Sequence, residues 1–212
     1  MANLRANKIT STEVFDTTGS VQFDGSGDYL SLASTSDFAY GTGDFTWEMW
    51  VYIISFSGNR YILDHGSNGG TISNGDNGNT RFHYYTSTTG TSSILYTTGF
   101  GTQLSTNTWY HFAAVRKNGI TSLYTNGILS VSASDTHNYS AQTLTIGQYG
   151  AGSYEFNGHI SNLRILKGTA LYTSNFTPPF RELEVIPNTV LLCAQSKTQA
   201  NLERTEIGRA HV

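Results

Sequence analysis

Between residues 109 and 133, two Asn-Gly pairs, Asn118-Gly119 and Asn126-Gly127, separate three apolar-rich runs at 109–116, 120–125 and 128–133. Asn-Gly readily adopts the positive φ angles of a type I′ turn, whose twist matches that of paired strands. Two such turns this close together leave room for strands and none for helices. They predict a three-stranded antiparallel meander.

The rest of the chain carries the same signature. In 44–53, Phe45, Trp47, Met49, Val51 and Ile53 alternate onto one face, with Glu48, Trp50 and Tyr52 on the other. That period of two predicts an internal strand whose first set faces a core. Further strands are predicted at 20–23, 29–32, 60–64, 81–86, 93–97, 143–147 and 156–166, and one short helical turn at 169–172. About a dozen short strands with regular turn signals predict an all-β sandwich or barrel.

Composition agrees. Of 212 residues only 13% are charged, 22 are Gly and 3 are Pro, which suits strands and tight turns better than long surface helices. A formal net charge of −3 offers no basic footprint for nucleic acid. No apolar run approaches the ~20 residues of a membrane span, and residues 1–10 lack the apolar stretch of a secretory signal. Cys193 is the one cysteine, which excludes an intrachain disulfide; within 190–193 it reads as a small buried apolar residue.

Four stretches, in order, resemble a known family. These are 21–30 (VQFDGSGDYL), 45–51 (FTWEMWV), 109–116 with 123–127 (WYHFAAVR, LYTNG), and 156–165 (FNGHISNLRI). Together they are similar to laminin-G-like domains of the concanavalin A-like lectin/glucanase superfamily. The resemblance runs over about 20–179 and implies a two-sheet antiparallel jelly-roll sandwich. Residues 7–12 (NKITST), 167–172 (KGTALY) and 176–180 (FTPPF) look like laminin-G-type proteins of tailed phages, which implies a virion or tail component. An extracellular bacterial adhesin is the alternative location. The expected organisation is an N-terminal arm at 1–19, the sandwich at 20–194 and a tail at 195–212. Residues 207–212 back-translate to a string resembling a common sequencing adapter and are set aside from fold reasoning.

Catalysis finds little support. Glucanases resembling this fold need paired carboxylates on one strand face, about 5–5.5 Å apart for retention. Here Glu48 is followed on its face by Trp50 and Tyr52, so it reads as a structural hydrogen-bonding residue. Residues 74–81 (NGDNGNTR) match the sialidase Ser-x-Asp-x-Gly-x-Thr-Trp turn only in part, and no Gly-x-Ser-x-Gly elbow occurs. The expectation is a non-enzymatic adhesion module recognising a glycan or cell-surface polysaccharide, alongside other virion proteins. The rival is a structural virion domain that binds protein, and a divergent glycan-active enzyme ranks third. Candidate ligand-contacting residues are Tyr84, Tyr85, Tyr149, Tyr154 and His65. Each aromatic offers an apolar platform for a sugar ring, and one Tyr of the adjacent pair must face inward. The family also implies a calcium ion at the sandwich rim, and Asp76 occupies a position similar to the family's. Asn74 and Asp135 are the expected neighbouring oxygen donors.

Overall fold

The computed structural model describes residues 19–58, 60–66, 69–74, 80–85, 103–150 and 152–195. The meander forms as its turns require: β7 (Trp109–Lys117), β8 (Ile120–Thr125) and β9 (Ile128–Ser134) pair antiparallel in succession. Asn118 and Asn126 have φ of 49° and 51°, and Gly119 and Gly127 of 73° and 74°, so both pairs sit left-handed at hairpin tips.

Nine further strands complete two sheets. They are β1 (Val21–Asp24), β2 (Leu30–Leu32), β3 (Phe45–Ile53), β4 (Arg60–Asp64), β5 (Thr71–Asn74), β6 (Phe82–Tyr85), β10 (Leu144–Ile146), β11 (Asn157–Lys167) and β12 (Thr189–Cys193). A seven-stranded sheet runs β1-β11-β3-β7-β8-β9, with β12 also paired to β11; a five-stranded sheet runs β2-β10-β4-β5-β6. All paired strands are antiparallel. The core lies between the sheets. Phe45, Trp47, Met49, Val51 and Ile53 are all fully buried there, as the alternation of β3 predicts.

Strands β5 and β12 escaped the sequence reading; both are short. The expected strand at 93–97 lies outside the described residues. The helical turn expected at 169–172 does not form. The helical element of the described residues is instead a single 3₁₀ turn at Ser36–Phe38. Residues 168–180 run as an extended strap over the outer face of the larger sheet, held by hydrogen bonds to other parts of the chain. Thr46 Oγ1 donates to Thr169 O and accepts from Leu171 N, at 2.8 and 2.9 Å. Trp50 Nε1 donates to Pro179 O at 2.9 Å, and Phe176 N donates to Gly127 O at the second hairpin tip. Tyr172 and Phe176 stack face to face, and with Ala170 they cover Ala113, Val115 and Tyr124.

The strap buries a charge cluster. Arg164, opposite Glu48 in register, donates to Glu48 Oε1 from Nε at 2.8 Å and from a terminal nitrogen at 2.5 Å. Tyr172 OH donates to Oε2 at 2.7 Å, and His111 Nε2 lies 3.4 Å from the same oxygen. Burial raises the Glu48 pKa, but His111, Arg164 and Tyr172 outweigh it and hold the carboxyl below its ordinary value. Glu48 is therefore the structural hydrogen-bonding residue that its strand position suggested.

Candidate functional site

On the five-stranded sheet, β4 carries a bulge. Tyr61 pairs with Ser73 and Leu63 with Ile72, so Ile62 is the extra residue. Ile62 and Leu63 both turn into the core, which leaves Tyr61 and Asp64 on the outer face. Asp64 accepts from Thr71 Oγ1 at 2.6 Å and from Gly150 N at 2.9 Å. Tyr61 N donates to Tyr154 O at 2.9 Å. Strand β4 thus grips the turn between Tyr149 and Tyr154 at two points.

The turn is tight. Tyr149 N donates to Ser153 O and Gly152 N to Tyr149 O, both at 3.0 Å. Gly152 has φ of 85°, and Tyr154 is left-handed at 59°, a conformation that costs a bulky residue free energy. It brings three rings together. Tyr61 lies 4.9 Å from Tyr149 and 5.5 Å from Tyr154, centroid to centroid, and the latter two are 6.2 Å apart. Tyr149 and Tyr154 remain 42% and 49% exposed, enough to offer a ligand much of each ring.

Beside this patch runs an open groove of about 430 Å³, within the range of small-molecule sites. Tyr29, Ser31, Thr143, Thr145, Gln148 and Glu155 line it, with glycines of the same turn forming one wall. Hydroxyls dominate the lining, and each can both donate and accept.

Tyr149 and Tyr154 therefore lie together at the surface, while Tyr84 and His65 lie in the interior. Tyr84 pairs with Ile72 in register, faces the core and is fully buried, donating to Tyr139 OH at 3.0 Å. His65 is also fully buried, caged by Phe38, Tyr40 and Trp47, with Nδ1 donating to Gly69 O at 3.0 Å. Neither reaches a ligand. The side chain of Tyr85 lies outside the description.

Of the expected calcium donors, Asp135 and Asn74 lie within the described residues. Asp135 is fully buried and its carboxylate is engaged: Oδ2 accepts from Thr121 Oγ1 at 2.5 Å and Tyr139 OH at 2.6 Å, and Oδ1 from His137 N at 3.0 Å. Arg116 Nε stands 3.5 Å from it as a buried counter-charge. Asn74 sits in β5 with its carboxamide buried and without a hydrogen-bond partner. Asp76 falls outside the described residues, and no group of three or more His, Cys, Asp or Glu that could hold a metal occurs among those described.

Tyr61 and Asp64 were missed by the sequence reading. Strict alternation puts Tyr61 on the same face as Leu63, and only the bulge separates them.

A model of the concanavalin A-like lectin/glucanases superfamily matches residues 24–171, well over half the chain. The chain belongs to that superfamily. Among solved structures, this superfamily member is similar to a protein from Bacteroides ovatus ATCC 8483 proposed to bind carbohydrate. The TM-score is 0.65 at 19% identity, over 89% of this chain and 56% of that one. It is similar to domains LG4-5 of the mouse laminin α1 chain (TM-score 0.54, 16% identity, 77% of this chain and 47% of that one). It also matches Trypanosoma rangeli sialidase (TM-score 0.54, 13% identity, 72% of this chain and 26% of that one). At these identities the likeness concerns the concanavalin A-like fold. This chain spans about half the length of the first two proteins and about a quarter of the sialidase. No curated protein matches it in sequence.

Proposed function

We propose that this superfamily member is a non-catalytic glycan-binding module whose site is the patch of Tyr61, Tyr149 and Tyr154 with the adjoining groove. The observation that carries this reading is the convergence of two half-exposed tyrosines with a third, beside a cleft lined by hydroxyls. Aromatic faces cover the apolar face of a sugar ring, and hydroxyl and amide groups fix its orientation. The similarity to a protein proposed to bind carbohydrate supports the same direction. Among the described residues Glu155 is the one carboxylate lining the groove, and Glu48 is locked beneath the strap. A double-displacement glycosidase needs two carboxyl groups flanking one bond, so binding without hydrolysis fits these residues better. Each well-placed aromatic contact adds about 0.5–1.5 kcal/mol beyond area, so affinity per copy is low and multivalent display would raise it.

The motifs at 7–12, 167–172 and 176–180 support a place in a tailed-phage virion, where many copies on one particle would supply that avidity. An extracellular adhesin meets the same requirement. A glycan array, with and without calcium, tests the proposal. Binding that disappears in Tyr149→Ala/Tyr154→Ala supports it. Absence of binding, or reducing-end release from a bound glycan, refutes it.

A further inference from the structure

The groove has a charge character that its hydroxyls alone do not convey. Among the described residues no Lys or Arg lines it, and its one charged side chain is the acid Glu155. Arg60 lies nearby, but its Nε donates to Ser57 O at 2.7 Å and one terminal nitrogen to Glu155 O at 2.6 Å. Those donors hold the backbone at Ser57 and at Glu155 and are not presented as a fork to a ligand. Recognition of a sugar carboxylate characteristically uses such a fork, two parallel N–H donors from Arg. Apart from Glu155, the polar side chains of the lining are Tyr29, Ser31, Thr143, Thr145 and the largely buried Gln148, groups matched to uncharged hydroxyls.

We infer that the site takes neutral oligosaccharide chains and rejects anionic ones, with Glu155 as the residue that sets this selectivity. The inference rests on the tyrosine patch and groove being a glycan site, and it names the substrate class of that site. A sugar unit stacks on Tyr149 and Tyr154 while the chain continues along the groove, where its hydroxyls meet Ser31, Thr145 and Gln148. A uronic or sialic acid placed there would bring a second negative charge towards Glu155, with no Lys or Arg in the described lining to offset either. Neutral binding is accordingly insensitive to salt, because no ion pair contributes to it.

Isothermal titration of the full chain with maltohexaose, cellohexaose, xylohexaose and mannohexaose, against hexagalacturonate and 3′-sialyllactose, tests this. The expected result is at least one neutral hexamer bound about tenfold or more tighter than either anionic probe, with binding lost in Tyr149→Ala/Tyr154→Ala. Glu155→Gln should narrow the gap by raising anionic binding. That substitution leaves the main-chain acceptor for Arg60 in place, so the turn is preserved. Anionic probes bound as tightly as neutral ones, and lost in the tyrosine variant, would overturn the selectivity while leaving a glycan site standing. No binding of either class, or binding indifferent to the tyrosines, would overturn the site and the selectivity together.

Discussion

Glu48→Gln should be among the most damaging conservative substitutions in this protein, because it removes a charge on which a buried arginine depends. The change keeps volume and shape, and an amide oxygen can still accept from Arg164, but that buried guanidinium, only 5% exposed, loses the negative charge that compensates it. Breaking one side of a buried ion pair typically costs 3–5 kcal/mol, against about 0–1 for a surface pair. For a chain of this size each kcal/mol lowers Tm by about 2–4 °C, so the expected drop is about 6–20 °C. Thermal and urea unfolding, followed by circular dichroism, provide the assay. Acid titration supplies an independent reading. The folded Glu48 carboxyl titrates below its ordinary value, so its contribution is complete above pH ~4.5 and fades as pH falls through the lowered value. Glu48→Gln should therefore flatten the acid limb of stability as well as lower its plateau. The pair Glu48→Leu/Arg164→Met should recover much of the loss, since an apolar replacement leaves no stranded charge. A loss below about 1 kcal/mol for Glu48→Gln, the size of a surface pair, would refute the assignment of a buried, strap-covered network.

Three further outcomes are expected. Burial lowers the His65 pKa against the opposing pull of the Gly69 and Gln142 backbone, so the unfolded chain binds the extra proton first. Stability should fall as pH drops below the ordinary histidine value of about 6.5, and urea midpoints between pH 5 and 7.5 should show that slope reduced in His65→Gln. The Cys193 thiol is fully buried and pushed up to about 12, so Ellman's reagent should label it only after unfolding; rapid stoichiometric labelling in native buffer would contradict its placement. Gly127→Ala should destabilise by more than about 1 kcal/mol in denaturant titration, because φ is 74° and the added methyl would meet the Phe176 carbonyl of the strap.

Those features differ in how visible they were in the sequence. The meander was fully legible, because Asn-Gly turns are local and their geometry dictates what flanks them. The faces of β3 were legible for the same reason: five large apolar residues at period two leave one register. What hid was whatever depended on distant chain. Glu48 could be called structural, but its partners Arg164 and Tyr172 lie 116 and 124 residues away. Nothing local in 167–180 announced a strap, and its apparent helical turn lost to hydrogen bonds with Thr46. The proposed site was half legible. Tyr149 and Tyr154 flank a glycine-rich turn whose exposure could be argued, whereas Tyr61 reaches them only through the bulge at Ile62. Between Tyr84 and Tyr85, the alternation rule required one to face inward without saying which. Pairing with Ile72 on β5, a strand the sequence did not reveal, sends Tyr84 to the core.

The position of β11 has a consequence for how the chain acquires its shape. It closes the larger sheet beside β3, although Phe45 and its register partner Lys167 come from opposite ends of the domain. Contacts this distant in sequence are slow to form, because the whole intervening loop must be ordered before they contribute. During synthesis, β3 can find β7 and the meander can fold locally, but the other edge of β3 stays unpaired until residues 157–167 emerge. Until then the apolar face of Phe45, Trp47 and Met49 belongs to an incomplete sheet with an open edge, the condition that favours self-association of nascent chains. Arrival of β11 is the step that commits the molecule, and a chain cut before Asn157 is left on the aggregation-prone side of it.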